Sequence, residues 1–404
     1  IAVIYVSIGV LLGTAVRSEM NGALVVSLAW VFDVFFGPAL GSGATPIARA
    51  FPLHFPTLVL TGQASGHAGP LGDVGWSVAW AVALTAAAVW RLTATTRPAP
   101  APHSSEAVPA TALAVVAPAR HSAVGPRPPA KTRPVVLPIV PAASHADPGS
   151  VTSRARLGAV LLAGLREYRR NRVLWVLLVV IPALFIGLAV LQTVKTPGPI
   201  GLVEGGRHFT AFLSERRVHA ATMVPVTAAF LAGITGLFIV TGSAGGDRRL
   251  VLAGFRPGEV LAGRLGIIGA ATVLTTGIAV VVSGSFYAPR QWLVFVGANL
   301  LIATTYAMLG VLVGPLTGRL GGLYLILLLA FIDVGLGQSV MFPKGPPTWG
   351  AFLPARGASR VMIDGAFTGR FDQFGALVLG LAWLAAFSLA TTVVFRRRIG
   401  ATRS

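Results

Sequence analysis

The sequence predicts an all-α fold, a polytopic transmembrane helical bundle of about nine spans, and three observations carry that prediction. The 404 residues are 54% hydrophobic and only 11% charged, against about 25% charged in soluble domains. Apolar runs near or above the ~20 residues needed to cross a ~30 Å hydrocarbon core recur along the chain. Those runs are too long and too uniformly apolar for the alternating strands of a barrel. That leaves the helix, which satisfies its own backbone hydrogen bonds in lipid.

In chain order the spans are expected at about 1–16, 22–40, 73–90, 173–193, 221–241, 266–286, 291–313, 322–340 and 376–394. Between Arg97 and Ser150 the composition turns abruptly to Pro, Ala, Ser and His. Such a stretch has little apolar surface to bury, and proline blocks helix continuation, so it reads as a linker. The chain therefore divides into 1–92, a linker over 93–152, and 153–404. In the linker Arg97, Arg120, Arg127, Lys131 and Arg133 outnumber Glu106 and Asp147, which assigns it to the cytoplasm.

The formal charge of +19 would point to nucleic acid in a soluble protein. Here the cations gather in the linker and at span ends, and no soluble basic domain accompanies them, so a nucleic-acid partner is not expected. The chain has no cysteine, which excludes disulfides, thiolate metal sites and a cysteine nucleophile.

The linker separates two related pieces. Tyr5-Val-Ser-Ile-Gly9-Val-Leu-Leu-Gly13 answers Tyr306-Ala-Met-Leu-Gly310-Val-Leu-Val-Gly314. Phe32-Asp33-Val34 answers Ile332-Asp333-Val334, and a Pro-containing external loop and an arginine-ended last span follow each time. Apolar spans resemble one another cheaply, but matched Tyr, Gly and Asp in one order at nearly constant offset point to duplication. On that reading 153–404 is a complete half of six spans, and 1–92 is the last three spans of another. Ile1 falls inside an apolar run, and equal repeat lengths predict roughly 150 residues before it in the native protein.

With the amino end of the complete half inside, its inner segments hold the larger share of arginines, including Arg248, Arg249, Arg256, Arg264, Arg319 and Arg396 to Arg398. This bias agrees with a cytoplasmic linker and carboxyl terminus. Leu157, Val160, Leu161, Leu165 and Tyr168 share one helical face, opposed by Arg156, Arg166, Glu167, Arg169 and Arg170. That pattern reads as an interfacial helix leading into the span at 173, or as an ordinary basic flank of that span. The connection from Gly246 to Leu265 alternates short apolar stretches with cations around Pro257-Gly258. It reads as a loop that seats in a partner's groove, or as a solvated loop made basic by topology.

This order of elements resembles the type-2 class of ATP-binding-cassette exporter permeases. The resemblance covers about 153–400 as a whole and 1–92 in part. It is carried in the loop by Asp247-Arg248-Arg249, Pro257 and Leu261-Ala262-Gly263-Arg264; the family's Gly-Thr after the opening charges is absent and the loop is short. The resemblance implies an exporter permease in the cytoplasmic membrane. It implies as partner a separate ATP-binding subunit, expected as a homodimer and contacted by Asp247, Arg248, Arg249, Arg256, Glu259 and Arg264. It implies no cofactor.

Nothing in the chain supplies a nucleotide site. Gly125-Pro-Arg-Pro-Pro-Ala130-Lys131-Thr132 is one residue from the phosphate-loop pattern, but that loop needs consecutive backbone N–H donors, which prolines lack. No His/Asp/Ser grouping predicts catalysis, and the tryptophans read as packing or interface anchors. Asp33 and Asp333 stand at matched places, about sixteen ångströms along their spans, near the bilayer centre. A carboxylate facing lipid there is costly, so each must point inward, to a translocation pathway or to a packing partner. Membrane carboxylates also admit an ion-coupled secondary transporter with internal repeats.

Overall fold

The apolar runs fold as helices because burial among apolar neighbours leaves the backbone no other hydrogen-bond partner. The structure, a computed structural model, describes residues 1–15, 48–66, 71–96, 172–342 and 345–400, with single helical positions at 22, 25, 26, 29, 33, 158, 161, 162 and 166. The linker from Arg97 onward, most of the span expected at 22–40 and most of the amphipathic stretch before 172 lie outside the described residues.

In the earlier piece α1 spans Ala2–Ala15, a 3₁₀ turn spans Ala48–Ala50, α2 spans His54–Ala64 and α3 spans Leu71–Thr96. In the later piece α4 spans Arg172–Gln192, β1 Pro197–Glu204, β2 Arg207–Ser214, α5 Glu215–Leu252, α6 Pro257–Gly284 and α7 Trp292–Ala330. A π-helical turn, Phe331–Gly337, and a 3₁₀ turn, Thr348–Phe352, lead to α8, Arg356–Phe367, and α9, Phe374–Gly400.

Among the described residues five helical segments are long and apolar enough to cross a membrane: Leu71–Ala94, Glu215–Leu252, Pro257–Gly284, Trp292–Gly337 and Phe374–Arg397. Two shorter apolar helices, Ala2–Ala15 and Leu178–Gln192, accompany them. Their surfaces agree with that environment. Trp76, Val78, Val82 and Trp90 on α3 are exposed, as are Phe374, Val378, Leu381 and Leu389 on α9. Such apolar surface is stable facing acyl chains and not facing water. The chain is a helical membrane protein.

Helix α5 is the hub of the later piece, packing on α4, α6 and α7. At 38 residues it is roughly 57 Å long, well beyond a ~30 Å hydrocarbon core. Its hydroxyls are satisfied within the helix: Thr227, Thr235, Thr241 and Ser243 donate to the carbonyl four residues back.

The spans expected at 291–313 and 322–340 are one continuous run that turns back on itself. Gly318, at φ 75° and ψ −175°, adopts a backbone that residues with a side chain rarely reach. Tyr306 Oη consequently lies 3.1 Å from the Leu329 carbonyl oxygen; in a straight helix 23 residues would separate them by about 35 Å. The first leg packs on α5 so closely that a Cβ on Gly310 would overlap the Gly233 carbonyl and one on Gly236 the Ala307 carbonyl, and on the second leg Ile326 would meet a Cβ on Gly233.

To this helical bundle the chain adds one short piece of sheet. Strands β1 and β2 form an antiparallel hairpin, Pro197 opposite Ser214 through Glu204 opposite Arg207, closed by Gly205 and Gly206 at φ 61° and 75°. Two consecutive glycines at positive φ suit the tight turn whose twist matches the strands, and β1 alternates exposed and buried residues through Leu202. The composition-level reading averaged this short alternating stretch into its apolar surroundings.

Candidate functional site

The two aspartates sit in the same constellation in each piece. Asp33 is 3% and Asp333 1% exposed. Tyr5 donates its hydroxyl to Asp33 Oδ2 at 2.5 Å, and the Leu53 amide donates to Oδ1 at 2.9 Å. Tyr306 donates to Asp333 Oδ2 at 2.9 Å, and the Ala355 amide to the same oxygen at 2.8 Å. Gln338 Nε2 completes the later set, donating to Asp333 Oδ1 at 3.1 Å.

Leu53 and Ala355 play one structural role. Each is the residue before a short helix, α2 or α8, with matching dihedrals of −81°, −12° and −76°, −10°. The first amides of a helix lack intrahelical acceptors and carry the positive end of its dipole. A carboxylate supplied from a distant helix takes one of them in each piece. Pro52 and Pro354 stand just before, and a 3₁₀ turn before that, so the loops enter their helices alike. A further tie recurs. Two residues after each tyrosine, Ser7 Oγ lies 3.0 Å from Thr85 Oγ1 on α3, while the Met308 carbonyl accepts from Thr391 on α9 at 3.3 Å.

Each aspartate is therefore held within its own piece, and the two do not bond one another. Asp333 sits fifteen residues past Gly318 in the π-helical turn, about 22 Å along the leg, beside the start of α8.

At the opposite end, the stretch from Gly246 to Leu265 is not an extended loop. Helix α5 runs to Leu252 and α6 starts at Pro257, leaving Ala253 to Arg256 between them. Of the six residues expected to couple to a partner, Arg256 alone lies in that connection. Asp247, Arg248 and Arg249 are in the last turns of α5, and Glu259 and Arg264 in the first turns of α6.

These residues divide by environment. Arg264 Nε and Nη2 donate to Asp247 Oδ1 at 3.0 and 2.9 Å, Ser243 Oγ lies 3.0 Å from Oδ2, and both charges are buried. A buried pair is strongly destabilised when one partner is removed, so it locks α5 to α6 next to the connection. Glu259 accepts from the Arg256 amide at 3.1 Å, half of a capping box. Arg248, Arg249 and Arg256 are exposed and, among the described residues, form no ion pair. Arg319, just past the reversal, donates to the Thr241 carbonyl at 3.2 Å, adding its charge to this end. Of the expected amphipathic stretch, Leu161 approaches here too; a Cβ on Gly266 would meet its Cδ2 at 2.7 Å.

Among the described residues no three His, Asp or Glu side chains group to hold a metal. Sequence reasoning used Tyr5 and Tyr306 as marks of a repeat and did not assign them as partners of the aspartates. Their near-equal separations, 28 and 27 residues, were the available signal. Gln338 and the two backbone amides carried none, because their roles depend on how a loop folds back. No protein-family model matches this sequence, and no curated protein matches it either.

Proposed function

We propose that this chain is the permease of a type-2 ATP-driven exporter in the cytoplasmic membrane, two related halves joined by a cytoplasmic linker and powered by a separate ATP-binding subunit. The observation that carries the reading is the cationic end. Arg248, Arg249 and Arg256 project unpaired around a four-residue connection that the buried Asp247–Arg264 pair holds rigid. A rigid, charged projection transmits a partner's movement into the spans, where a loose loop would absorb it. Exposed unpaired cations suit an acidic partner surface.

In this reading Asp33 and Asp333 anchor the short helices α2 and α8 that close the opposite end, and so take part in gating through position. The satisfied carboxyls support anchoring over carriage of a coupling ion, which needs free acceptor oxygens.

The test is purification of the tagged full chain from its native membranes in mild detergent. Magnesium-dependent ATP hydrolysis should co-purify with it, and Arg248→Glu, Arg249→Glu and Arg256→Glu together should release or uncouple it. A preparation devoid of ATPase overturns the exporter reading. Unchanged association and hydrolysis in the triple variant overturns the coupling assignment.

A further inference from the structure

We propose that the cavity beneath the β-hairpin binds the phosphate or carboxylate head of an anionic amphiphile, with Arg356 and Arg360 as its counter-charges. This inference does not rest on the exporter reading, since it concerns the end remote from the cationic connection. The cavity is about 730 Å³, within the range of ~300–1,000 Å³ that accommodates small ligands. The hairpin forms one wall and α8 the other.

Arg356 and Arg360 stand one helical turn apart on the α8 wall, where like charges repel unless an anion lies between them. Neither has a carboxylate within ion-pair distance among the described residues. Arg356 donates to Gln338 Oε1 at 3.3 Å, and its guanidinium is held below its ordinary pKa, first by burial and then by Arg360. Between them in sequence on the same wall lies Ser359, 3% exposed, whose hydroxyl has no hydrogen-bond partner among the described residues. The carboxylate on this wall, Asp364, already accepts from Thr368 Oγ1 at 2.6 Å and from the Asp372 amide at 3.3 Å.

The arginines are not needed by the repeated fold. The matching positions of α2, aligned on Leu53 and Ala355, are His54 and Leu58, and α2 forms the same capped helix without them. Leu202, Val340, Phe342 and Ile363 give the cavity apolar wall, and Phe212, Trp349 and Phe352 are exposed at the same end. An exposed tryptophan such as Trp349 is characteristic of the lipid headgroup level. An amphiphile with an anionic head fits both surfaces, and a free anion fits only one. Gln338 bonds Arg356 and Asp333 at once, so an occupied cavity is wired to the aspartate that caps α8.

Native mass spectrometry of the full chain released from phosphatidylcholine nanodiscs containing a minor fraction of phosphatidic acid tests the proposal. Phosphatidic acid should be retained at least tenfold over its share of the bilayer. Arg356→Gln with Arg360→Gln should reduce that enrichment about tenfold, while Arg370→Gln, outside the cavity, should leave it unchanged. Arg360→Gln alone, at an exposed position without side-chain bonds among the described residues, keeps the test valid if the double variant does not fold. Dodecyl phosphate should compete with the lipid, and inorganic phosphate at the same concentration should not. Equal retention in wild type and the arginine variants overturns the site. Equal competition by inorganic phosphate overturns the amphiphile and leaves a free-anion site.

Discussion

Tyr306 donates its hydroxyl to Asp333 at 2.9 Å, and three hundred residues earlier Tyr5 donates to Asp33 at 2.5 Å. In both pieces the same carboxylate also takes the amide that precedes a short helix. A carboxylate with its oxygens occupied by donors pays its burial cost through those bonds, so removing any donor is felt. Tyr306→Phe should destabilise the protein by about 1.5–3 kcal/mol, the range for a hydrogen bond to a charged group. Asp333→Ala should cost more, because it strands the Ala355 amide and leaves the Tyr306 hydroxyl with the longer bond to the Leu329 carbonyl. Thermal unfolding of the detergent-solubilised protein measures both, and a double-mutant cycle isolates the pair. A coupling near zero would show that the hydroxyl contributes nothing to the anchor.

Asp33→Asn and Asp333→Asn separate anchoring from a pathway role. An amide oxygen still accepts from the Leu53 or Ala355 backbone, so anchoring predicts lower stability with substrate flux per folded molecule retained within a few-fold. Loss of flux at equal folded amount, in a vesicle transport assay, would assign the carboxylates to the pathway.

The buried Asp247–Arg264 pair predicts a marked asymmetry. Arg264→Met alone should cost about 3–5 kcal/mol, because it leaves the Asp247 charge buried without its counter-charge, and Asp247→Ala alone should also destabilise, because Arg264 loses two of its bonds. The double replacement should recover much of that loss, since neither charge remains to be buried. Unfolding midpoints of the three variants check it; additive losses would mean the charges act independently.

Matched glycines should respond differently. Alanine at Gly310 drives a methyl group into the Gly233 carbonyl, whereas among the described residues nothing lies within 4 Å of a Cβ at Gly9. Gly310→Ala should therefore destabilise by at least about 1–3 kcal/mol, the usual cost of overpacking, and Gly9→Ala should be nearly neutral. Yields of monodisperse protein on size exclusion, with unfolding midpoints, distinguish them.

At the hairpin end burial lifts the Asp364 carboxyl above the ordinary carboxylate range, against the opposing bonds from Thr368 and the Asp372 amide. A folded pKa above the unfolded one favours the proton-bound native state. Stability from this group is thus complete below the ordinary carboxylate value and is lost as pH rises through the lifted one. Asp364→Asn should flatten the rise in unfolding midpoint on acidification across that window. A pH profile identical to wild type would show that Asp364 does not set it.

The sequence by itself determined the membrane class, because length and apolarity of the runs decide whether a helix can sit in lipid. It also identified the matched tyrosines, glycines and aspartates, since a repeat keeps residue identity and order. The β-hairpin was legible only locally, in the alternation of β1 and the Gly205-Gly206 turn. The tertiary structure alone decided what the matched residues do. Gly318 reverses the chain and brings Leu329 to Tyr306, and Asp333 meets Ala355 because the loop after the π-helical turn folds back over it. It also showed that Asp247 and Arg264, which sequence reasoning grouped with the exposed arginines of one loop, are buried against each other. Seventeen residues separate them, and the sequence does not state which faces of α5 and α6 meet. Faces meet through packing, and packing depends on every neighbour at once, whereas partition into a membrane depends on each segment almost alone.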